Sequence, residues 1–230
     1  MKNLEAVVFD LDDTLYPERE YIRSGFRAVG RWAEERLGLS QPIVRAELQA
    51  FFDADFRGDT FQWWLSEQGL PESLLADMVL VFRTHTPQIT LSPDTQRILD
   101  ELKPRYRLGL VTEGRKENQQ AKVRALGLER WISAVVILGE EERPEWKPSR
   151  KPFDRVLGML SVAGGDAVYV GDNPGKDFSG AREAGMATIR IRQPGGLHAL
   201  DEPSSKADAP DREIDALDRL IEALEIPARE

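Results

Sequence analysis

Carboxylate side chains follow two short apolar runs of this sequence, and a threonine follows a third. Residues 10–14 read DLDDT after the run AVVF, residues 171–177 read GDNPGKD after the run AVYV, and Thr112 follows the run RLGLV. A carboxylate can act as a nucleophile, as a general acid or base, or as a ligand of a hard cation. The five carboxylates of the two acidic segments would repel one another in one crevice, and Mg²⁺ would neutralise them. These residue types and spacings therefore indicate carboxylate chemistry at a metal-binding crevice.

The composition excludes several other chemistries. The 230 residues include no cysteine and only two histidines, His85 and His198, which excludes disulfides, cysteine nucleophiles, thiolate zinc sites and multi-histidine metal sites. With 31 Lys and Arg against 40 Asp and Glu, the net charge of −9 argues against nucleic acid or anionic lipid as a partner. No apolar run approaches the ~20 residues of a membrane span, and the first residues lack the core of a signal peptide. We therefore expect a cytoplasmic protein with no membrane partner, and the sequence leaves the oligomeric state open.

The apolar runs are typical of strands that are buried on both faces of a parallel sheet, because they are short and do not alternate with polar residues. They lie at 6–9, 107–111, 134–138, 167–170 and 187–191. Segments with helical spacing separate the last four runs, at 119–126, 153–160 and 178–184, and Gly127 and Gly185 close the first and third of them. This alternation predicts an α/β fold with a doubly wound, parallel, Rossmann-like sheet. Ligands bind at the carboxyl ends of the strands in such a sheet, which is where the acidic segments and Thr112 lie.

Residues 16–90 are too long for a single crossover helix. Turn signals at 38–40, 57–59 and 69–71 divide this segment into about four helices. Its aromatic residues are expected to fill a small separate core, and they are Phe26, Trp32, Phe51, Phe52, Phe56, Phe61, Trp63, Trp64 and Phe82. We therefore expect an all-α domain at 16–90, inserted into an α/β core made of residues 1–15 and 91–230.

The C-terminal region predicts a loop and then a helix. Residues 193–211 are rich in Gly, Pro, Ser and Asp. After them, one apolar stripe at helical spacing comprises Ile214, Leu217, Leu220, Ile221 and Leu224.

The chemistry-bearing segments resemble the motifs of the haloacid dehalogenase-like (HAD) hydrolase superfamily, and the resemblance spans the whole α/β core. The first motif of that family is Asp, any residue, Asp, a variable residue and Thr, as at 10–14. The second is a Ser or Thr at the end of the next core strand, here Thr112. The fourth is Gly-Asp with another acid five positions after the Asp, which Asp172 and Asp177 match.

The third motif of the family is a lysine, often followed by proline, with a phenylalanine six positions after the lysine. Lys147 with Phe153 fits this spacing, and Lys151, also followed by proline, is the alternative. By resemblance, Lys147 would bind the phosphoryl group and neutralise both it and the nucleophile.

The resemblance implies a role for each residue of the first two motifs. Asp10 would be the nucleophile that forms an aspartyl-phosphate. Asp12 would protonate the leaving oxygen and later deprotonate the attacking water. Thr112 would bind a phosphoryl oxygen, together with the backbone N–H groups of Glu113 and Gly114. Dehalogenases and phosphonatases of the superfamily lack an acid at the position of Asp12, so the resemblance favours a phosphatase.

A Mg²⁺ cofactor is also implied by the resemblance. The cation would be held by Asp10, by the backbone carbonyl of Asp12 and by Asp172. Asp177 would support these ligands directly or through water.

Two residues depart from the pattern of the relatives. Glu113 stands where relatives carry Asn or Asp, and Lys176 stands where they often carry Asn. The Glu113 side chain could point away from the pocket or crowd it. Lys176 could pair with Asp177 or with Asp13. Neither departure removes a proposed metal ligand.

An insertion between the first and second motifs is what this superfamily calls a type 1 cap, usually a helical bundle that closes over small substrates. Candidate substrate contacts in or beside it are Tyr16, Glu18, Arg19, Arg83 and His85. For Arg83 and His85, a place in a linker or in the core is the preferred interpretation, and a substrate contact is the alternative. We expect His198, in a loop rich in Gly and Pro, to be exposed to solvent.

Together these features predict a Mg²⁺-dependent phosphatase. Its substrate would be a small phosphorylated metabolite of the sugar phosphate or nucleotide type, hydrolysed through an aspartyl-phosphate on Asp10. A phosphomutase would use the same residues but return the phosphoryl group to the substrate. A non-catalytic metabolite-binding protein is the third possibility. Release of free phosphate distinguishes the first from the other two.

Overall fold

A computed structural model of the chain describes residues 4–54 and 58–225. Within them, six strands form one parallel sheet. The strands are β1 (Ala6–Phe9), β2 (Arg107–Glu113), β3 (Ala134–Leu138), β4 (Ala167–Gly171), β5 (Ala187–Ile191) and β6 (Arg212–Ile214). Their order across the sheet is β3-β2-β1-β4-β5-β6, which is the order of a doubly wound Rossmann-type sheet. The predicted α/β fold with a parallel sheet is confirmed.

The helices of the described residues fall into two compact units of the chain. They are α1 (Glu18–Leu37), α2 (Gln41–Asp53), α3 (Thr60–Glu67), α4 (Leu75–Thr84), α5 (Pro93–Leu102), α6 (Lys116–Ala125), α7 (Lys151–Leu160), α8 (Phe178–Glu183) and α9 (Leu220–Glu225). An α/β unit comprises Met1–Glu18 and Thr90–Glu230, and a helical unit comprises Arg19–Ile89. In the part of the chain that the structure describes, no helix has the length and apolar character needed to cross a membrane.

Strands β1, β3 and β4 are wholly apolar, which is typical of strands buried on both faces of a parallel sheet, whereas β5 contains the buried Thr188 and Arg190. Helix α7 packs an apolar face that includes Phe153, Val156 and Leu160 against β2 and β3. The ring of Tyr169 in β4 meets Phe153 edge-on, with 4.9 Å between the ring centroids. Gly109 in β2 permits the close approach of α7, because a Cβ there would lie 2.9 Å from Val156 and 3.1 Å from Leu160.

The strand order reverses between β1 and β4, and this places the acidic segments side by side. Phe9 at the end of β1 pairs with Val170 of β4. The backbone N–H of Asp10 donates a hydrogen bond of 2.8 Å to the carbonyl of Val170. Ligands of doubly wound sheets bind in the crevice at this position. The fold therefore brings residues 10–14 and 171–177 to one crevice, with Thr112 on the adjacent strand β2.

The helical unit has an aromatic core of its own. The ring of Phe26 in α1 lies 6.1 Å from the rings of Phe52 and Phe61 and 5.9 Å from that of Phe82, measured between centroids. Gly25 lets the Phe82 ring lie directly against α1, since a Cβ at this position would overlap the ring. Contacts among these rings supply apolar burial for the unit.

The adjacent tryptophans of α3 differ in burial. Trp63 was expected in the core of the helical unit, but it is 49% exposed, so that prediction was wrong. The neighbouring Trp64 takes the core position, fully buried. Phe56, expected in the same core, and Arg57, expected in a turn, lie outside the described residues.

The C-terminal helix is shorter than predicted, and a sixth strand precedes it. Ile214 was assigned to the helical stripe, but it ends β6, which pairs with β5 through Ile191 and Ile214. The assignment was wrong because three residues at the sheet edge are too few for an apolar periodicity to identify. Leu217 belongs to a 3₁₀ turn, and only the residues from Leu220 onward form α9.

Candidate active site

Eleven residues of the α/β unit line a pocket of about 250 Å³ at the carboxyl ends of β1, β2 and β4. Asp10, Asp12, Thr112 and Asp172, predicted from three separate motifs, are among them. The others are Glu18, Glu113, Gly114, Gln119, Lys122, Lys176 and His198. None of these lining residues carries a large apolar side chain, so the pocket wall suits a polar ligand.

Lys147 connects the first acidic segment to the second. It lies between β3 and α7, and its side chain is completely buried. Its Nζ lies 2.5 Å from Oδ1 of Asp10 and 2.7 Å from Oδ1 of Asp177, and it donates to the Tyr169 hydroxyl at 2.9 Å. These three acceptors occupy all three N–H bonds of the ammonium group. Lys151, the alternative for the third motif, is 63% exposed and pairs with a partly exposed glutamate. The structure therefore brings Lys147, and not Lys151, to Asp10.

Burial and charge shift the pKa values of this cluster in different directions. Burial alone would lower the pKa of Lys147, but the carboxylates of Asp10 and Asp177 hold it well above its ordinary value. Burial alone would raise the pKa of Asp177, but Lys147 and Lys176 hold it below its ordinary value. For Asp10, burial outweighs the charge of Lys147 and raises the pKa to about 6. The buried ion pair of Lys147 and Asp177 therefore lies beside a carboxyl group whose ionisation is opposed by burial.

The negative charge of Asp172 is less well neutralised by nearby positive charges than that of the other carboxyl groups of the site. Burial, followed by the charges of Asp177, Asp10 and Asp13, raises its pKa to about 9. Among the described residues, none donates a hydrogen bond to its carboxylate. A hard divalent cation fits such an oxygen donor, because it uses one or two carboxylates and completes its shell with water and phosphate oxygens. Within the described part of the chain, no three His, Asp or Glu side chains form a ligand group by themselves. The donor chemistry therefore fits Mg²⁺ held jointly with water and substrate.

The Asp12 carboxylate is held by three donors. Lys122 Nζ lies 2.8 Å from each of its oxygens, the Tyr16 hydroxyl donates to Oδ1 at 2.5 Å, and Gln119 Nε2 donates to Oδ2 at 3.1 Å. Burial would raise the pKa of Asp12, but the charge of Lys122 and these hydrogen bonds hold it below its ordinary value. Gln119 also donates to the Thr112 hydroxyl at 2.5 Å. The acid of the first motif is therefore connected to the threonine of the second.

Sequence reasoning missed Gln119 and Lys122. Both lie on α6 and are buried, 3% and 4% exposed. A signal was present, because positions 119, 122 and 126 share one helix face and Leu126 packs in the core. Polar residues at 119 and 122, on the face that turns toward the core, predict a buried polar contact. The carboxylate that provides it is 107 and 110 residues away in sequence.

Asp13 has a structural role instead of lining the pocket. It adopts a left-handed conformation with φ of 51°. Its Oδ1 accepts from the backbone N–H of Glu18 at 2.8 Å, and its Oδ2 accepts from that of Leu197 at 2.7 Å. The expectation that all five carboxylates of the acidic segments face the crevice was therefore wrong for Asp13. Asp177 does not line the pocket either, since it is fully buried against Lys147.

The candidate substrate contacts near the insertion separate into two groups. Glu18 lines the pocket, and burial together with the charge of Asp12 raises its pKa to about 7. Arg19, Arg83 and His85 belong to the helical unit. There, Arg19 forms an ion pair of 2.6 Å with a carboxylate of α2, and Arg83 is exposed. The His85 ring packs against the rings of Tyr21 and Phe82.

Glu113 and Lys176, the two departures from the pattern of the relatives, form an ion pair with each other. The Lys176 Nζ lies 3.0 Å from Oε1 of Glu113. The other oxygen of Glu113 accepts a hydrogen bond of 2.8 Å from the backbone N–H of Lys147. The expectation that Lys176 pairs with Asp177 or Asp13 was wrong, because Lys176 forms its ion pair with the longer Glu113 side chain. Glu113 thus supports the segment that carries Lys147.

The loop at 193–211 contributes His198 to the pocket. The Nε2 of His198 lies 3.0 Å from Nδ2 of Asn173, and its Nδ1 lies 2.6 Å from Oδ2 of Asp201. Its side chain is 37% exposed, in agreement with the expected solvent exposure, but the sequence did not predict its place in the pocket lining. The buried Arg190 of β5 holds the loop by donating to the backbone carbonyls of His198 and Asp201, each at 2.8 Å.

Comparison with known proteins identifies the family. Residues 7–191 match the sequence profile of haloacid dehalogenase-like hydrolases. The chain belongs to the HAD-like hydrolase family. It is 34% identical to glyceraldehyde 3-phosphate phosphatase of Methanopyrus kandleri, over 89% of this chain and 90% of that protein. It is 28% identical to N-acylneuraminate-9-phosphatase of Rattus norvegicus, over 88% of both chains.

A solved HAD structure has a fold similar to that of this chain. The crystal structure of 2-haloacid dehalogenase from Pseudomonas syringae pv. Tomato DC3000 aligns with a TM-score of 0.62 and 26% identity, over 96% of this chain and 98% of its own. Both sequence relatives are named phosphatases, and each aligns with most of the length of this chain. This HAD protein is accordingly an enzyme of the phosphoric monoester hydrolase type.

Proposed function

We propose that this HAD enzyme is a Mg²⁺-dependent phosphatase of small phosphorylated metabolites that works through an aspartyl-phosphate on Asp10. The observation that carries the proposal is the position of Lys147. Its Nζ contacts both Asp10 and Asp177, at 2.5 Å and 2.7 Å, next to the pocket that contains Asp172 and Thr112. A nucleophilic carboxylate, a neutralising ammonium group and a carboxylate suited to a cation are the parts that phosphoryl transfer requires.

The residues that would hold Mg²⁺ are Asp10, the backbone carbonyl of Asp12 and Asp172. Asp177 would act through its contacts, since it accepts from Lys147 and from the backbone N–H of Asn173 at 2.8 Å. When bound, the cation would neutralise the phosphoryl oxygens and orient them for in-line attack. The raised pKa values of Asp10 and Asp172 support this ligand set, because they mark buried carboxyl groups without enough positive charge nearby.

The protein residues then divide the reaction into two displacements. An oxygen of Asp10 attacks phosphorus, and the leaving alkoxide takes a proton from Asp12. In the second displacement, Asp12 accepts a proton from water, which attacks the phosphorus of the aspartyl-phosphate and regenerates the Asp10 carboxylate. Thr112 and the backbone of Glu113 and Gly114 line the pocket where they can donate to phosphoryl oxygens.

Dehalogenase activity is the alternative raised by the structural similarity to 2-haloacid dehalogenase. The acid at position 12 favours phosphatase chemistry, because a leaving alkoxide needs a proton and a leaving halide does not. Asp12 is held in place by Lys122, Tyr16 and Gln119. A residue that only filled space would not require three donors.

A small polar substrate is supported by the pocket and by the relatives. The pocket measures about 250 Å³ and is lined by polar and charged residues and one glycine. The relatives cited above are named for sugar phosphates or phosphorylated sugar acids. We therefore infer a substrate of the sugar phosphate type, with nucleotides as the second class. We also propose that the helical unit Arg19–Ile89 serves as a cap that selects the substrate.

The test is phosphate release by purified protein with Mg²⁺, first from 4-nitrophenyl phosphate and then from a panel of sugar phosphates and nucleotides. The Asp10→Asn variant should release no phosphate while keeping its circular dichroism spectrum and melting temperature. The control is Asp77→Asn, an exposed position in α4, which should keep wild-type activity. Full activity of Asp10→Asn would refute the mechanism. Conversion of a sugar phosphate to its isomer without phosphate release would instead identify a phosphomutase.

A further inference from the structure

A second buried lysine lies at the pocket, and the family motifs do not include it. The side chain of Lys122 is 5% exposed, and its Nζ lies 2.8 Å from both oxygens of Asp12. Lys147 occupies the corresponding place at Asp10. Each of the two carboxylates of the first motif that take part in the chemistry therefore has its own buried ammonium group.

Lys122 is placed by α6, which follows β2 at the carboxyl edge of the sheet. Gln119, one turn earlier on the same helix face, donates both to Oδ2 of Asp12 and to the Thr112 hydroxyl. The hydroxyl of Tyr16, four residues after Asp12 in the chain, donates a hydrogen bond to Oδ1 of Asp12. Asp12 is therefore contacted by three side chains from two separate segments, and both of its oxygens are engaged.

We propose that Lys122 is a positioning residue that fixes the Asp12 carboxylate for proton transfer to the leaving group, and that Gln119 couples this carboxylate to Thr112. The proposal rests on the proposed phosphatase function and adds the residues that orient its acid. Lys122 contacts both oxygens, Tyr16 donates to one of them and Gln119 donates to the other, and together these contacts restrict rotation of the carboxylate.

The role predicts a dependence on the leaving group. A 4-nitrophenolate leaves without help, so its departure gains little from a positioned acid. The alkoxide of a sugar phosphate is a poor leaving group and depends on protonation, a contribution of about 10²- to 10⁴-fold in rate. Disturbing Asp12 should therefore slow hydrolysis of an alkyl phosphate much more than hydrolysis of an aryl phosphate.

The experiment measures kcat/KM, which reports the steps up to departure of the leaving group, for glycerol phosphate, or for the best sugar phosphate found, and for 4-nitrophenyl phosphate on one preparation with Mg²⁺. For Lys122→Met we expect kcat/KM on the alkyl phosphate to fall about 10²-fold more than kcat/KM on the aryl phosphate. The ratio of the two rates does not depend on the fraction of folded enzyme, so partial misfolding cannot mimic the result. Gln119→Met should shift the ratio in the same direction by a smaller factor. Asp12→Asn provides the limiting value.

The matched control is Lys116→Met, an exposed lysine on the same helix, which should keep both rates. Lys122→Arg should recover part of the alkyl phosphate rate, because a guanidinium can also contact both carboxylate oxygens. An unchanged rate ratio in Lys122→Met and Gln119→Met would overturn the positioning role, even if Asp10→Asn is inactive. Full activity of Asp10→Asn would overturn the proposed function itself, so the two failures are distinguishable.

Discussion

The Nε of Arg190 donates a hydrogen bond of 3.0 Å to the backbone carbonyl of Asp172. Arg190 is fully buried in β5, and its other nitrogens contact the loop at 193–211 and the Glu213 side chain of β6. Arg190 thus connects the backbone of Asp172, the proposed metal ligand, to β5, to β6 and to the loop. Replacing a hydrogen-bond partner that orients a metal ligand typically lowers metal affinity or activity by about 10- to 100-fold.

Replacing Arg190 should affect both stability and metal affinity. In Arg190→Met, three carbonyl acceptors and Glu213 lose their donor, so we expect the free energy of unfolding to fall by about 3 kcal/mol. The Mg²⁺ concentration for half-maximal activity should rise about 10- to 100-fold. Urea denaturation and Mg²⁺ titration of activity measure the two effects. Arg192→Met removes partly exposed ion pairs with Glu202 and Glu213 and should cost less than about 1 kcal/mol. Equal effects of the two substitutions would contradict the role of Arg190.

The two candidate lysines of the third motif should differ in activity. Lys147→Met removes the ammonium group that contacts Asp10 and Asp177, so kcat should fall about 10²- to 10³-fold. Lys151→Met removes a surface ion pair with Glu145 and should leave kcat unchanged. Steady-state kinetics with an aryl phosphate distinguishes the two. If only Lys151→Met loses activity, the assignment of Lys147 is incorrect.

Mg²⁺ should stabilise the wild-type protein through Asp172. At about 100 times the dissociation constant, a bound cation adds about 2.7 kcal/mol to the free energy of unfolding. Asp172→Asn should lose this gain. Because the pKa of Asp172 is raised to about 9 by burial and neighbouring acids, the metal-free variant should be more stable than the metal-free wild type at neutral pH. Thermal unfolding with EDTA and with Mg²⁺ tests both parts, and Asp77→Asn should behave as wild type. An equal Mg²⁺ response in Asp172→Asn would show that this carboxylate is not a ligand.

Glu18 should make the stability of the metal-free protein depend on pH. Its pKa is raised from 4.5 to about 7, so the folded protein keeps a proton that the unfolded chain releases between these values. The unfolded state then binds fewer protons, and stability falls as the pH rises through this window. In Glu18→Gln, the decrease in the free energy of unfolding between about pH 5 and about pH 8 should be smaller. Urea denaturation in EDTA measures it, with Glu20→Gln on the surface of α1 as control. Superimposable curves for wild type and Glu18→Gln would contradict the prediction.

The strands were predictable because β1, β3 and β4 are continuous apolar runs and β2 and β5 are mainly apolar, which is typical of strands buried on both faces of a parallel sheet. The sixth strand, β6, has three residues, and among the described strands it pairs only with β5. Its identity depends on the neighbouring strand, which a local pattern does not contain. The same distinction explains Trp63 and Trp64, where adjacent aromatic residues have opposite exposure and only the packing of α3 decides which is buried.

The residues of the first, second and fourth motifs were predictable because Asp10 and Asp172 directly follow strands and Thr112 lies near the end of one. The parallel sheet then brings Asp10, Thr112 and Asp172 to one edge without further information. Gln119 and Lys122 were not predicted, since polar residues on a short helix ordinarily face solvent. Their burial is compensated by Asp12, which lies more than 100 residues away in the chain.

The sequence by itself predicted the kind of chemistry, because carboxylates and a hydroxyl group lie at the ends of its predicted strands and it contains no cysteine. Only the tertiary structure decided which charges are partners. It pairs Lys147 with Asp10, Lys176 with Glu113 and Lys122 with Asp12. The physical reason is that the energy of an ion pair depends on distance and burial in space. Spacing along the chain leaves several partners open for each lysine, and the packing of strand ends and helices selects one.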